Sequence, residues 1–178
     1  MCQTVKEVER RLICELMKNS RKNNKELARL VGVSQPTVKR LIKKLEMEGY
    51  VREYTVIPDF SKLGFCIMAM TFVKWPKKFT EEEYDRIVKA ATDLDKKKSM
   101  SIIMVVRGIG SDYDMVIVSV HENYSACREL IDDIKQLPLA STFDTQCFLV
   151  DLTKDTRYRP LTFSSLAEYL QKHLKTEN

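Results

Sequence analysis

Apolar residues recur at helical spacing through the first third of the chain and crowd into strand-like runs beyond it. Val5, Val8, Leu12, Ile13 and Leu16 share one face of a helix predicted from Val5 to Lys18, with Thr4 and Glu7 placed as a capping box. The polar cluster Asn19 to Asn23 reads as a loop. Leu27, Ala28, Leu30 and Val31 then give the inward face of a short helix over Asn24 to Val31, capped by Asn23 with Glu26. Gly32 suits the left-handed end of that helix, Ser34 suits the next N-cap, and Pro36 falls in the following first turn. A third helix follows with Val38, Leu41, Ile42 and Leu45 at i, i+3, i+4 and i+7, stopped by Gly49. Tyr50 to Val56 alternates and is β-prone, as one strand of a small wing.

Beyond a linker at residues 57–63 the period changes. Strands are predicted over Phe65–Val73, Ser101–Val106, Met115–Val120 and Phe143–Leu152. Helices are predicted from Glu81 to about Leu94, behind a Thr80/Glu83 capping box, and from Tyr124 to Leu137. Asp95-Lys96-Lys97-Lys98 reads as a solvated turn. The order β-α-β-β-α-β is the ferredoxin-like plan, which leaves one sheet face bare of helices. Yet Cys66, Met68, Met70 and Phe72 oppose Phe65, Ile67, Ala69 and Val73, so both faces of the first strand are apolar. A second copy of the same sheet is the simplest cover, which predicts a homodimer or higher oligomer. One more helix is expected in the tail, with Ser165 and Glu168 as its capping box and Leu166, Tyr169, Leu170, His173 and Leu174 inward. The fold class is therefore α+β, with a tri-helical winged domain at 1–56, a linker at 57–63, a ferredoxin-like effector and dimerisation domain at 64–154, and a helical extension at 155–178.

Composition excludes several classes. Gly and Pro number five each among 178 residues and 44% of positions are hydrophobic, which is unlike disordered or fibrous chains. No run approaches the ~20 apolar residues of a membrane span, and the charged N-terminus lacks a signal-peptide core, so a cytoplasmic protein is expected. Five cysteines with no CxxC pair suggest free thiols serving as small hydrophobes. Neither His121 nor His173 has a second ligand at metal spacing, so no metal or cofactor is called for.

Charge changes the picture more. Residues 1–60 hold 13 Lys/Arg against 8 Asp/Glu, whereas residues 61–178 hold 17 of each, so the whole formal excess of +5 lies in the first third. Within it, Lys39, Arg40, Lys43 and Lys44 centre opposite the apolar stripe of the third helix. A rigid cationic helix entered through a tight turn is what double-stranded DNA accepts in its major groove. Ser34, Gln35 and Thr37 at its start are placed for base edges, the four cations for phosphates, and Arg52 of the wing for backbone or minor groove. An isolated basic helix is most often just a solvated face. Here the tri-helical spacing, the Gly-turn-Ser junction and the charge segregation agree on the sharper reading.

The stretch ELARLVGVSQPTVKRLIKKLEMEGYVREYTVIPDFSKLGF resembles the N-terminal domain of Lrp/AsnC (feast/famine) transcriptional regulators, and the β-α-β-β-α-β order matches that family's effector domain. The resemblance covers about residues 4–154. It implies a winged helix-turn-helix on near-palindromic DNA, dimers built through the sheets, and in many members a response to an amino acid. Two departures stand out. Members commonly carry adjacent arginines where this chain has Arg40-Leu41, and their hairpin motif Gly-x-aromatic-Asp is one residue longer here, at Gly110-Ser111-Asp112-Tyr113-Asp114. Two readings of that hairpin stay open. Gly110, Tyr113 and Asp114 can hold an amino-acid effector, the backbone N–H groups taking its carboxylate and Asp114 its ammonium, or the Gly and Asp simply make the turn.

The fold alone does not exclude catalysis, because siroheme decarboxylases share this two-domain architecture. That chemistry leans on histidines, of which this chain has two, and no nucleophile–base pair or metal constellation is visible. A metabolite sensor that binds no DNA is a second rival, and the charge segregation speaks against it.

Overall fold

The computed structural model describes residues 6–75, 79–108, 112–154 and 161–173, with the side chains of Thr142 and His173 left out. The chain divides between Ile57 and Pro58 into two compact units, the first of which also takes in the C-terminal helix.

Three helices and that C-terminal helix build the first unit. Helix α1 spans Glu7–Lys18, α2 Asn24–Val31 and α3 Gln35–Met47. Leu12, Leu16, Leu27, Ala28, Val31, Val38, Leu41 and Leu45 form one buried cluster, with Ile13, Ile42 and Tyr50 packed against its margin. The spacing of apolar positions therefore selects the faces that meet. Thr4 of the expected first cap lies outside the described residues, and α1 begins after Lys6, whose N–H donates to Glu9. The expected wing strand is absent. Residues 51–59 carry no regular secondary structure, because a lone strand finds no neighbour for its backbone groups, and the Val51 N–H goes to the Leu45 carbonyl instead.

Helix α6, Ser164–His173, packs on α1 with a face that keeps half-buried Leu170 of the expected set but turns Leu166 and Tyr169 outward. Ala167 is fully buried and Gln171 reaches α1, whereas Leu166 and Tyr169 remain 47% and 56% exposed. Ser165 sits inside the helix rather than capping it. Small Ala167 permits close approach of the two helices. The expected inward positions His173 and Leu174 fall outside the described side chains.

In the second unit, strands β1 (Ile67–Lys74), β2 (Ile102–Arg107), β3 (Met115–His121) and β4 (Asp144–Asp151) form one antiparallel sheet in the order β2-β3-β1-β4. That is the order the β-α-β-β-α-β plan requires. Val73 pairs with Met115 and Thr145, and Thr71 with Ile117 and Cys147, which aligns the buried residues of one face. Helix α5 (Tyr124–Lys135) covers that face with Cys127, Leu130 and Ile134. Helix α4 (Glu81–Lys98) begins at the expected Thr80/Glu83 box but runs through the lysines read as a turn. Cations in a last turn favour the helix dipole, and the helix ends where Ser99 turns left-handed at φ 50°. Lys98 closes the α4–α5 pair by reaching both oxygens of buried Asp133 at 2.6 and 2.8 Å.

Among the described residues the other face is open over most of its extent, although Val120 on it is buried. By alternation it carries Met68, Met70, Phe72, Val116, Val118 and Val150, with Met104, Val106 and Phe148 left 47%, 42% and 59% exposed. Of the five cysteines, Cys14, Cys66, Cys127 and Cys147 are free thiols and Cys2 lies outside the described residues.

Candidate nucleic-acid interface

The junction of α2 and α3 is fixed by its caps. Asn23 accepts from the Glu26 N–H at 3.0 Å and donates its own N–H to the Glu26 carboxylate at 2.9 Å. Gly32 takes φ 81°, a conformation that costs an L side chain about 1 kcal/mol, and donates to the Ala28 carbonyl at 2.9 Å. Two residues later Ser34 accepts from the Thr37 N–H at 3.3 Å, and the two hydroxyls lie 2.8 Å apart. Each hydroxyl still has hydrogen-bonding capacity to spare. Val38, Leu41 and Leu45 then hold α3 against the rest of the unit.

Burying that stripe leaves the opposite side of α3 in solvent. Gln35, Lys39, Arg40 and Lys43 are exposed, and Ser34 and Thr37 stand exposed and half-exposed at the start. None of Lys39, Arg40 and Lys43 forms an ion pair with a described residue.

Lys44 departs from the expected set. Its Nζ donates to Glu9 Oε1 of α1 at 2.6 Å and lies 3.7 Å from Glu48. Glu9 is only 4% exposed. Their shared hydrogen bond is the main cause that lowers the Glu9 carboxyl and raises the Lys44 ammonium. Lys44 is thus committed to the protein, and the free cationic row is Lys39, Arg40 and Lys43. The i+4 position of Glu48 was visible in the sequence, whereas Glu9, 35 residues upstream, carried no local signal.

Arg52 is exposed and is held between two anchors. Val51 bonds to α3 through its N–H, and the Tyr54 hydroxyl donates to Glu46 Oε1 at 3.0 Å. Partial burial, then the bond to Glu46, pushes the Tyr54 phenol up to about 12. Sequence reasoning missed Tyr54 and Glu46, which attach the segment after α3 without any strand.

In the second unit, Gly110 lies outside the described residues. Tyr113 donates its hydroxyl to Gln146 and packs at 5.5 Å on Phe72, and Asp114 Oδ2 accepts from the Trp75 N–H at 2.8 Å. Asp114 also borders a cleft of about 750 Å3 lined by Trp75, Phe79, Tyr84, Asp85 and Arg107. Arg107 lies over the Trp75 and Tyr84 rings at 5.0 and 4.5 Å, and the buried Trp75 Nε1–H has no hydrogen-bond partner among the described residues. Sequence reasoning missed this arrangement, whose parts are scattered over 40 residues.

Ser119 and His121 lie 2.8 Å apart, but at 0% and 2% exposure no substrate reaches them. His121 ends β3 and is a core residue. Among the described residues no cluster of His, Cys, Asp and Glu suits a metal ion, and no helix is long and apolar enough to cross a membrane.

Residues 6–52 match the family described as winged helix-turn-helix DNA-binding. The chain is 27% identical to the HTH-type transcriptional regulator FL11 of Pyrococcus abyssi over 132 residues, which is 74% of this chain and 81% of that one. Its fold resembles the leucine response regulatory protein LrpA of Mycobacterium tuberculosis, with TM-score 0.66 and 17% identity over 89% of this chain and 99% of that one. E. coli AsnC gives TM-score 0.65 and 18% identity over the same shares.

Proposed function

We propose that this chain is a DNA-binding transcriptional regulator of the Lrp/AsnC type, which reads duplex DNA with the exposed face of α3. One observation carries the assignment of residues: Lys39, Arg40 and Lys43 stand free on the side of α3 opposite its buried stripe. They contact phosphates and set register, while Ser34, Gln35 and Thr37 reach base edges at the N-terminal end of the helix. Arg52 adds a contact beside the groove. Lys44 is left out of this set because Glu9 holds it.

The protein works as a homodimer or higher oligomer, closed through the open sheet face that carries Phe148 and Met104. Two α3 helices then meet successive major grooves about 34 Å apart, on a near-palindromic site. An amino-acid effector is supported by the cleft beside Asp114, where Arg107 and the indole Nε1–H of Trp75 suit a carboxylate and Asp85 and Asp114 an ammonium. The protein carries out no catalysis of its own and works beside the DNA in the cytoplasm. The siroheme decarboxylase reading has no support from His121, which is buried among Ser119 and Ser101.

Fluorescence anisotropy on duplexes selected from a random pool tests the reading. Binding weakens with salt in the unaltered protein and is lost in Lys43→Glu, whose helix content and melting stay unchanged. Normal binding by Lys43→Glu overturns the assignment of α3.

A further inference from the structure

Glu9 is a carboxylate taken out of water on a helix that the proposed DNA contacts never use. A buried carboxylate is tolerated where cations and donors satisfy it. Here Oε1 receives Lys44 Nζ at 2.6 Å and Oε2 receives the Lys6 N–H at 3.3 Å. Elsewhere α3 packs through Val38, Leu41 and Leu45, and its other polar ties, Tyr54 to Glu46 and the Val51 N–H to the Leu45 carbonyl, run to the segment that follows it rather than to α1. The apolar stripe decides which side of α3 faces inward, but the hydrophobic effect that buries it has no preferred direction of its own. A short charged bond has one.

We infer that Glu9 is a positioning residue for DNA recognition, which sets the rotation of α3 by gripping Lys44 and keeps that cation off the phosphates. The inference rests on the proposed role of α3. A rotation of about 20° about the helix axis moves a side chain at the ~5–6 Å helix radius through about 2 Å, more than a base-edge hydrogen bond tolerates. Bonds to phosphate are less demanding, since a lysine point charge follows the backbone on its flexible stem. Losing the grip therefore damages sequence discrimination before it damages affinity for DNA in general. It also makes Lys44 different in kind from its neighbour Lys43, although the two are adjacent in sequence and identical in chemistry.

The test compares salt dependence and discrimination in one set of variants, using a duplex selected from a random pool by the unaltered protein and a scrambled duplex of equal length. Lys43→Met lowers the slope of log K against log salt by about 0.9, the value of one neutralised phosphate, whereas Lys44→Met leaves the slope unchanged. Glu9→Gln lowers the ratio of selected to scrambled affinity about tenfold, with scrambled binding held or raised as Lys44 is released, and Lys44→Arg keeps the ratio. The double variant Glu9→Gln/Lys44→Met leaves no buried charge unpaired, so it melts close to the unaltered protein yet still discriminates poorly. A purely structural role predicts that discrimination returns with stability. The inference is overturned if Lys44→Met lowers the slope as Lys43→Met does, or if the ratio survives in Glu9→Gln and in the double variant. An unchanged slope in Lys43→Met instead brings down the reading of α3 itself, and this inference with it.

Discussion

Gln171 of α6 and Glu15 of α1 share a 3.1 Å hydrogen bond that ties the C-terminal helix back to the first helix of the chain. Lys18 completes the clasp, donating to Gln171 Oε1 at 2.8 Å and to Glu15 Oε1 at 3.1 Å, while Lys22 reaches Glu15 Oε2 at 2.7 Å. The first unit is thus a four-helix body assembled from both ends of the sequence.

This clasp makes the unit acid-sensitive. Burial on its own raises the Glu15 carboxyl, but bonds from Lys22, Lys18 and Gln171 outweigh it and hold the group at about 2 against its ordinary 4.5. A carboxyl lowered on folding stabilises fully above 4.5, and its contribution fades as pH falls from there toward 2. Allowing for solvent screening, about 1–2 kcal/mol is at stake. Thermal melting between pH 2 and 6 should show Glu15→Gln less stable at neutral pH and flatter across that window. Parallel curves for the two proteins would contradict the clasp.

Gly32 carries a second expectation. No atom lies within 4 Å of a Cβ built there, so the cost of a side chain is conformational alone, set by φ 81°. Gly32→Ala should lower stability by about 1–2 kcal/mol, and Gly32→Asn by less, since Asn tolerates the left-handed region. Chemical denaturation distinguishes them. Equal losses in both variants would mean that a contact, not the backbone, decides.

The sequence announced what depends on near neighbours. Val38, Leu41 and Leu45 are one helix turn apart, so their common face is a local property, and the Asn23/Glu26 and Thr80/Glu83 boxes span three residues each. Features that depend on distant partners stayed hidden. Lys44 looks like Lys43 until α1 folds beside it, and the inner face of α6 is chosen by Ala167 and Gln171 because α1 offers Glu15 and Lys18, not because they are its most apolar residues. The strand expected in the wing did not form for the same reason. Alternation at Tyr50 to Val56 describes a strand's side chains, but a strand also needs a neighbour's backbone, which alternation does not report.

Assembly is open to a simple mutation. Phe148 is 59% exposed on the open sheet face, pairs across the ladder with Met70, and makes no part of the buried cluster beneath the helices. Phe148→Asp should leave the helix and strand content of the folded chain unchanged, as a surface change does. At the same time it should lower the mass measured by light scattering to that of one chain. An oligomer that survives Phe148→Asp and Met104→Asp together would place the contact on another surface.

His121 supplies the last expectation, and its sign differs from the usual histidine case. The ring is 2% exposed, with Ser119 Oγ 2.8 Å from Nε2 and Ser101 Oγ 3.5 Å from Nδ1. Burial lowers its pKa below the ordinary 6.5, and the opposing pull of the Glu122 charge is weaker. The serine hydroxyls can rotate to accept from an imidazolium, so desolvation, not a missing acceptor, keeps the ring neutral. A base whose pKa falls on folding is no burden above 6.5, where both states are neutral. Stability is lost as pH drops below 6.5, because the unfolded chain then takes up a proton that the folded one refuses, by at most about 1.4 kcal/mol per pH unit. The loss levels off once pH passes the folded value. Melting from pH 7.5 to 5 should therefore fall for the unaltered protein and stay flatter for His121→Gln. A decline just as steep in the variant would assign the effect to other groups and leave His121 as packing alone.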